Sequence, residues 1–438
     1  MKKEISVIGH KNPDTDSICS SIAYANLKNI ITSSNVYFPK RIGELNSETL
    51  FVLNYFKAGE PILIDNVRTQ VKDINIRKVE LVKPEISLKK AWEIMKSSGI
   101  TTLAVSHNNR TLDGIIAVDD IAHSFMDIYD NDILSQARTP YRNMVEVLDG
   151  EILVGDIEDS VYNGNVHIGA MNPDLMESYI HAKDVVIVGN RYEAQLCAIE
   201  MGAQCIVVTG GVPVASSIKK LAEAQNCAIV VSPHDTYTVA RLINQSIPIR
   251  QFMKSNELVT FNINDYLDDV REVMVKKRFR NFPVVDDKNN MIGMLSRASL
   301  INCPRKQVIL VDHNERSQAV DGLEEAEILE IIDHHRIGDI ETVGPVYFRN
   351  QPLGCTATIV RNMYMENNVE ISKKMAGLLC SAILSDTLAF KSPTCTEADR
   401  EAAESLAEIA GLDMDEFSMI MFRASSNLMD KSAEEIFY

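Results

Sequence analysis

The sequence predicts an α/β protein built on parallel sheets, with one domain split in two by a long insertion. Three observations predict it. Short apolar runs of strand length alternate with helical patterns along nearly the whole chain, as βα units require. A stretch of the middle region recurs, residues 91–121 aligning without a gap on residues 270–300. The acidic and histidine motifs that stand out lie before and after that region. The chain's 438 residues are roughly three times a typical domain of about 150, enough for several cores.

The elements follow in order. Glu4 to Gly9 reads as a strand and Ile18 to Ile31 as an amphipathic helix, with a polar loop between them. Pro13 keeps that loop out of a helix, so His10, Asp14 and Asp16 are expected on a loop at the strand's carboxyl end. In the recurring unit each copy reads helix, strand, polar turn, strand, helix start. Glu93 matches Glu272, Met95 matches Met274, Val105 matches Val284 and Gly114 matches Gly293, and two such copies are expected to pack as a pseudo-symmetric pair. Between them Val185 to Gly189, Cys205 to Gly211 and Ala228 to Ser232 are buried-strand signals separated by helices, a domain of its own. Beyond the second copy, Val308 to Val311 runs into Asp312-His313-Asn314-Glu315, and Ile328 to Ile332 runs into Asp333-His334-His335-Arg336. Ala376 to Leu384 reads as a fourth such run, ending in Ser385-Asp386. The partition is then 1–70 and 302–438 for the split domain, 71–128 and 246–301 for the two copies, and 129–245 between them.

Composition narrows the function classes. With 44 Lys+Arg against 61 Asp+Glu the net charge is −17, which argues against a general nucleic-acid binder. No run approaches the roughly 18 apolar residues of a membrane span, and the short apolar N-terminus lacks the length and cleavage site of a signal peptide. The 8 cysteines include no C-x-x-C pair and read as reduced thiols of a cytoplasmic protein.

Ligands of open α/β sheets bind outside the carboxyl ends of the strands, and four such ends carry Asp or His. Four of the 9 histidines fall in these motifs. His10, Asp14, Asp16, Asp312, His334 and Asp386 together supply four carboxylates and two imidazoles. Carboxylates so crowded repel one another and hold protons, whereas two divalent ions neutralise them. Mixed His and Asp ligands suit Mn²⁺, Co²⁺ or Zn²⁺ better than an all-oxygen Mg²⁺ or Ca²⁺ site. Two ions about 3.5–4 Å apart lower the pKa of a shared water toward about 7, for in-line attack on phosphorus.

The segments GHKNPDTDSICS, LVDHNE, IIDHHRI, PLGCTAT and SDTLAFKSPTCT resemble the signatures of the manganese-dependent, family II inorganic pyrophosphatases of the DHH superfamily. Residues 91–121 and 270–300 resemble a pair of CBS domains, and the stretch around GAQCIVVTGG and SPHDTYTVARLI resembles a DRTGG domain. The resemblance implies a DHH-type parallel-sheet domain split by a CBS–DRTGG–CBS insertion, and hydrolysis of pyrophosphate to two phosphates. It implies His10 and Asp14 on one metal, Asp16, His334 and Asp386 on the other, and Asp312 bridging both. The metals would be two Mn²⁺ or Co²⁺ per site, with additional Mg²⁺ accompanying the substrate. His335 would contact phosphate and share the catalytic role with Asp312, while His313 and Asp333 would orient ligands. Lys391 is open between a site residue and a turn cap.

The family has a second domain that closes over the substrate with a Ser-Arg-Lys motif. This sequence stops where the linker to it would begin, so weak or absent turnover is expected of the chain as given. Losing even one preorganised electrostatic contact costs about 3 kcal/mol. CBS pairs of this family bind AMP, ADP, ATP or diadenosine polyphosphates. Of the nucleotide motif the first copy keeps Asp120 and the second keeps Ser296, with Arg278, Phe279 and Arg280 as further contacts. A homodimer is expected, because CBS pairs commonly associate. Two other readings remain at this point: a DHH phosphodiesterase on short oligonucleotides, and a nucleotide-sensing regulatory protein with an incomplete catalytic domain.

Overall fold

The computed structural model describes residues 4–126, 130–277, 279–301 and 303–425. They form two compact units, one from described residues within 1–73, 266–268 and 302–438, the other from those within 74–265 and 269–301.

The first unit is built on a six-stranded sheet in which every neighbouring pair is parallel. In spatial order the strands are Tyr347–Asn350, Glu327–Asp333, Gln307–Val311, Ile5–Ile8, Tyr37–Arg41 and Ile62–Leu63. The chain therefore winds outward in one direction from Ile5–Ile8 and, after the insertion, outward in the other from Gln307–Val311. The boundary between those two strands is the topological switch point, where the loops leaving both carboxyl ends diverge and open a crevice. Side chains alternate across the sheet. Val7, Ile309 and Val311 join a core with the helices Thr15–Ile31, Thr356–Glu366 and Lys373–Asp386. Ile8, Val308 and Leu310 face the opposite core with Val67, Ala319 and Val320.

Two local expectations are corrected. Ala376 to Leu384 is not a strand but part of the helix Lys373–Asp386, in which every residue from Met375 to Leu384 is buried. A helix apolar on all sides has no periodicity to distinguish it from a buried strand. Asp16 is not in the loop either. The helix begins at Thr15, two residues after Pro13, because Asp14 serves as its N-cap and accepts from the Ser17 amide at 2.9 Å, satisfying one of the orphan donors of the first turn.

The second unit holds a five-stranded sheet in the order Glu151–Val154, Ala228–Val231, Cys205–Val208, Val185–Val188, Val166–Ile168. The last four run parallel and Glu151–Val154 is an antiparallel edge. The recurring copies form two three-stranded sheets. Helix Leu88–Ser98 corresponds to Leu267–Lys276, and the antiparallel strands Thr102–Val105 and Gly114–Ala117 to Asn281–Val285 and Met291–Ser296. The first copy continues into the helix Val118–Met126, the second only into a 3₁₀ turn, Arg297–Leu300.

The two copies are pseudo-symmetric and mutually paired. Met291 donates its amide to the Arg110 carbonyl at 2.8 Å, and Leu112 donates to Asn289 at 3.2 Å. The segment before each copy crosses to the other copy's strand. Arg77 bridges Met294, and Lys254 bridges Ile115. Gly293 and Gly114 make this possible. A Cβ on Gly293 would lie 2.5 Å from the Arg77 carbonyl oxygen, and one on Gly114 would lie 2.8 Å from that of Lys254, both too close for any side chain.

Candidate metal centre

The site lies within the first unit, at the switch point. After Ile5–Ile8 the chain turns through Gly9, where a Cβ would sit 1.9 Å from the Ser17 hydroxyl. With no side chain there, the His10 amide reaches that hydroxyl at 3.0 Å. His10 Nε2 stands 3.3 Å from Asp14 Oδ2 and 3.4 Å from Asp312 Oδ2. Asp312 follows the neighbouring strand in left-handed backbone, with φ +66°. That conformation costs a non-glycine residue about 1–3 kcal/mol. It is held by the Asp312 amide, which donates to Ile332 at 2.8 Å, and by the Thr356 hydroxyl, which donates to Asp312 Oδ1 at 2.9 Å.

On the other side of Asp312, His334 Nε2 lies 3.5 Å from Asp312 Oδ1 and 3.6 Å from Asp386 Oδ2. Asp386 ends its helix, and the three residues Leu388, Ala389 and Phe390 that follow all have left-handed φ of 48° to 66°. They turn the chain away sharply, with the Ala389 amide donating to Leu384 at 2.8 Å. Asp16 is fully buried. It accepts from the Thr356 amide at 2.7 Å, the Ala357 amide at 3.0 Å and the Ser20 hydroxyl at 2.6 Å, at the positive end of the Thr356–Glu366 helix.

Among the described residues, ligand atoms within 4.8 Å of one another form three groups: His10, Asp14 and Asp312; Asp312, His334 and His335; and Asp16, Cys355 and Asp386. The six residues expected from the sequence as metal ligands are therefore gathered at one place, with Asp312 common to two groups. His335 is half exposed, and Asp333, itself buried, holds its Nδ1 at 2.9 Å. A cavity of about 170 Å³ beside them is lined by His313, Asn314, Glu315, Gln318, His335 and Arg336.

The electrostatics show an excess of negative charge. Burial first, then the charges of Asp16 and Asp14, hold the Asp312 carboxyl well above the usual range. Burial, then Asp16 and Asp312, push Asp386 up to about 10. For Asp14 burial works upward, but the hydrogen bond and charge of His10 win and lower it. Burial works against the charged form of His10, yet Asp14, Asp16 and Asp386 raise it. His335 is raised chiefly by its bond to Asp333, and burial brings His313 down to about 4.

These residues fit divalent ions. The His334 Nδ1 lies 2.9 Å from the Leu353 carbonyl, so its proton sits there and Nε2 carries the lone pair. That Nε2 is buried with no hydrogen-bond partner, as a metal-ligating imidazole requires. Four carboxylates that cannot all ionise together need the cations the same imidazoles can share.

The cobalt-dependent inorganic pyrophosphatase of Clostridium perfringens is 42% identical over 437 residues, covering 100% of this chain and 79% of that protein. The chain belongs to the family II inorganic pyrophosphatases. A second relative in this pyrophosphatase family, the "probable manganese-dependent inorganic pyrophosphatase" of Thermotoga maritima, is 37% identical over 95% of the chain and 76% of its own length. Residues 143–246 match the DRTGG domain family, and residues 71–127 and 249–306 match the CBS domain family. A crystal structure of the CBS and DRTGG domains of the Clostridium perfringens pyrophosphatase, complexed with its activator diadenosine tetraphosphate, matches 52% of this chain and 100% of that one. Its TM-score is 0.51 at 33% identity.

The residues expected at the nucleotide site take different local positions in the two copies, Asp120 matching Ser299 and Ser296 matching Ala117. Asp120 accepts the Ala117 amide at 2.8 Å and pairs with Lys254 at 2.8 Å. In the other copy Ser299 accepts the Ser296 amide at 3.3 Å. Ser296 and Ser299 form a capping box, which Ala117, with no side-chain acceptor, cannot form with Asp120. Phe279 and Arg280 are exposed, and Arg278 lies outside the described residues. Lys391 follows the left-handed turn, its amide donating to Leu388 at 3.3 Å.

Sequence reasoning missed Thr356, Cys355 and Asn314. Asn314 donates to Asp333 and to the Arg336 carbonyl at 2.9 Å. The PLGCTAT segment was visible as a motif, but nothing in it said that a helix N-terminus would point at Asp16.

Proposed function

We propose that the chain hydrolyses inorganic pyrophosphate to two phosphates at a pair of divalent ions, Mn²⁺ or Co²⁺, with Mg²⁺ accompanying the substrate. The observation that carries this reading is Asp312. Its two oxygens face different imidazoles, Oδ2 at 3.4 Å from His10 and Oδ1 at 3.5 Å from His334. His10, Asp14 and Asp312 would hold one ion, and Asp312, Asp16, His334 and Asp386 the other. When bound, two such ions act as Lewis acids on phosphoryl oxygens and lower the pKa of water toward about 7.

The chain's own groups do the rest. Asp333 fixes the His335 ring by its Nδ1 and raises its pKa, which favours a proton on Nε2 for donation to a phosphate oxygen. The neighbouring cavity, with Gln318, Asn314 and Arg336 in its wall, offers donors of the kind a phosphate needs. Thr356 holds Asp312, and the helix it begins holds Asp16.

Adenine nucleotides bound by the CBS copies would regulate this site, through Asp120, Ser296, Arg278, Phe279 and Arg280. The diadenosine tetraphosphate complex of the Clostridium perfringens region supports that reading. We read the protein as a cytoplasmic homodimer with no nucleic-acid or membrane partner. Its acidic charge supports the part of this reading that concerns nucleic acid.

Phosphate release with Mn²⁺ and Mg²⁺ tests the proposal, in the wild type and in Asp312→Asn. Metal-dependent release from pyrophosphate, lost in the variant, is expected. Equal or faster cleavage of a short oligonucleotide would favour the phosphodiesterase reading. Binding of metal and AMP without hydrolysis of either substrate would favour a sensing role.

A further inference from the structure

Cys355 is the N-cap of the helix Thr356–Glu366, and its side chain makes no capping hydrogen bond. The N-cap position favours Ser, Thr, Asp or Asn, whose oxygens accept from the first turn. The helix therefore gains nothing from a thiol there. Cys205, Cys227 and Cys380, also buried, direct their sulfurs to backbone carbonyls at 3.6–3.7 Å. The Cys355 thiol instead faces two carboxylates. It is fully buried, and its sulfur lies within 4.8 Å of carboxylate oxygens of both Asp16 and Asp386.

The unpartnered Nε2 of His334 is the fourth group, buried and 3.6 Å from Asp386 Oδ2. Asp16 has room for an ion as well. Its Oδ1 already accepts from Ser20 and Ala357, but Oδ2 accepts only from the Thr356 amide, which leaves one lone pair. Around a tetrahedral zinc ion, with Zn–S near 2.3 Å and Zn–O or Zn–N near 2.0–2.2 Å, ligand atoms stand roughly 3.3–3.7 Å apart. Asp16, Asp386 and Cys355 present ligand atoms within 4.8 Å of one another, and His334 adjoins them through Asp386.

We propose that Asp16, His334, Asp386 and Cys355 form a closed soft-metal trap that captures Zn²⁺ or Cd²⁺ at one of the two metal positions. The inference rests on the metal pair proposed above. Capture exchanges a proton for the ion: the S–H bond breaks, the proton leaves to solvent, and the sulfur electron pair bonds the metal. No oxidation state changes. Mn²⁺, a harder ion, leaves the thiol protonated, because thiolate selects softer metals. Four protein ligands make a closed site, whereas catalytic positions keep one coordination place open. A soft ion so held blocks hydrolysis.

The test is a Cd²⁺ titration of the chelator-treated full chain, read by cadmium–thiolate absorption in the ultraviolet, beside a Mn²⁺ titration read by electron paramagnetic resonance. Wild type should show one cadmium–thiolate equivalent per chain that Cys355→Ser lacks. Serine suits an N-cap, and Cys355→Ala gives a second variant that lacks the sulfur without adding an oxygen. Inhibition by Cd²⁺, relative to each protein's own Mn²⁺-supported rate, should weaken by about tenfold or more in both variants, the scale on which single groups at a metal site act. Cadmium–thiolate absorption equal in wild type and variants, or absent from all, overturns the inference while Mn²⁺ binding stands. Failure of every protein to bind Mn²⁺ would overturn the metal pair itself, and the trap with it.

Discussion

The hydroxyl of Thr356 lies 2.9 Å from Oδ1 of Asp312 and tethers the one carboxylate that both His10 and His334 approach. The same residue's amide holds Asp16 at 2.7 Å, so one helix N-terminus sets two proposed ligands at once. Thr356→Val removes the hydroxyl and keeps the amide and the shape. Groups that orient a ligand from behind are typically worth about 10–100-fold in metal affinity. Mn²⁺ affinity, measured by equilibrium dialysis, should fall by that factor with the fold intact by circular dichroism.

In the proposed reaction His335 would act on substrate rather than on the fold. Its ring is half exposed and braced by Asp333 at 2.9 Å. His335→Gln should lower kcat by about 10²-fold, the usual loss for one preorganised donor, and change Mn²⁺ binding little. Steady-state phosphate release beside a Mn²⁺ titration separates these effects.

Metal loading should release protons. Without ions the Asp386 carboxyl is pushed up to about 10, so it holds a proton at neutral pH, and Asp312 is also raised. Mn²⁺ requires them ionised. Apparent affinity should rise as pH rises, and titration calorimetry in buffers of different ionisation enthalpy should show net proton release on binding.

Gly293→Ala places a methyl group 2.5 Å from the Arg77 carbonyl oxygen. Overpacking of this kind costs about 1–3 kcal/mol, because the paired segment must shift. Thermal unfolding should show a lowered transition, while Mn²⁺ binding, in the other unit, is retained.

Much of this was legible in the sequence, for identifiable reasons. His10, Asp14, Asp312 and His334 each follow an apolar run of strand length, so the carboxyl-end rule for parallel sheets gathered them before any coordinates did. The paired copies were legible because Gly114 and Gly293, like the strands around them, sit in matching places. Asp386 was placed at the site for an incorrect reason. Its helix is buried on every side, which erased the periodicity that separates helix from strand. Thr356, Cys355 and Asn314 were not legible as site residues. Their roles depend on the backbone approaching Asp16, Asp312 and Asp333 from distant segments, and hydroxyl, thiol and amide side chains carry no spacing rule that announces such contacts.

The central claim is that Asp312 joins two ions in one site. It is tested most directly by the number of Mn²⁺ ions bound per chain, counted by equilibrium dialysis of the chelator-treated protein, in the wild type and in Asp312→Ala. Two per chain in the wild type, and neither at comparable affinity in the variant, are expected. A single ion in the wild type, or two retained by Asp312→Ala, would contradict it.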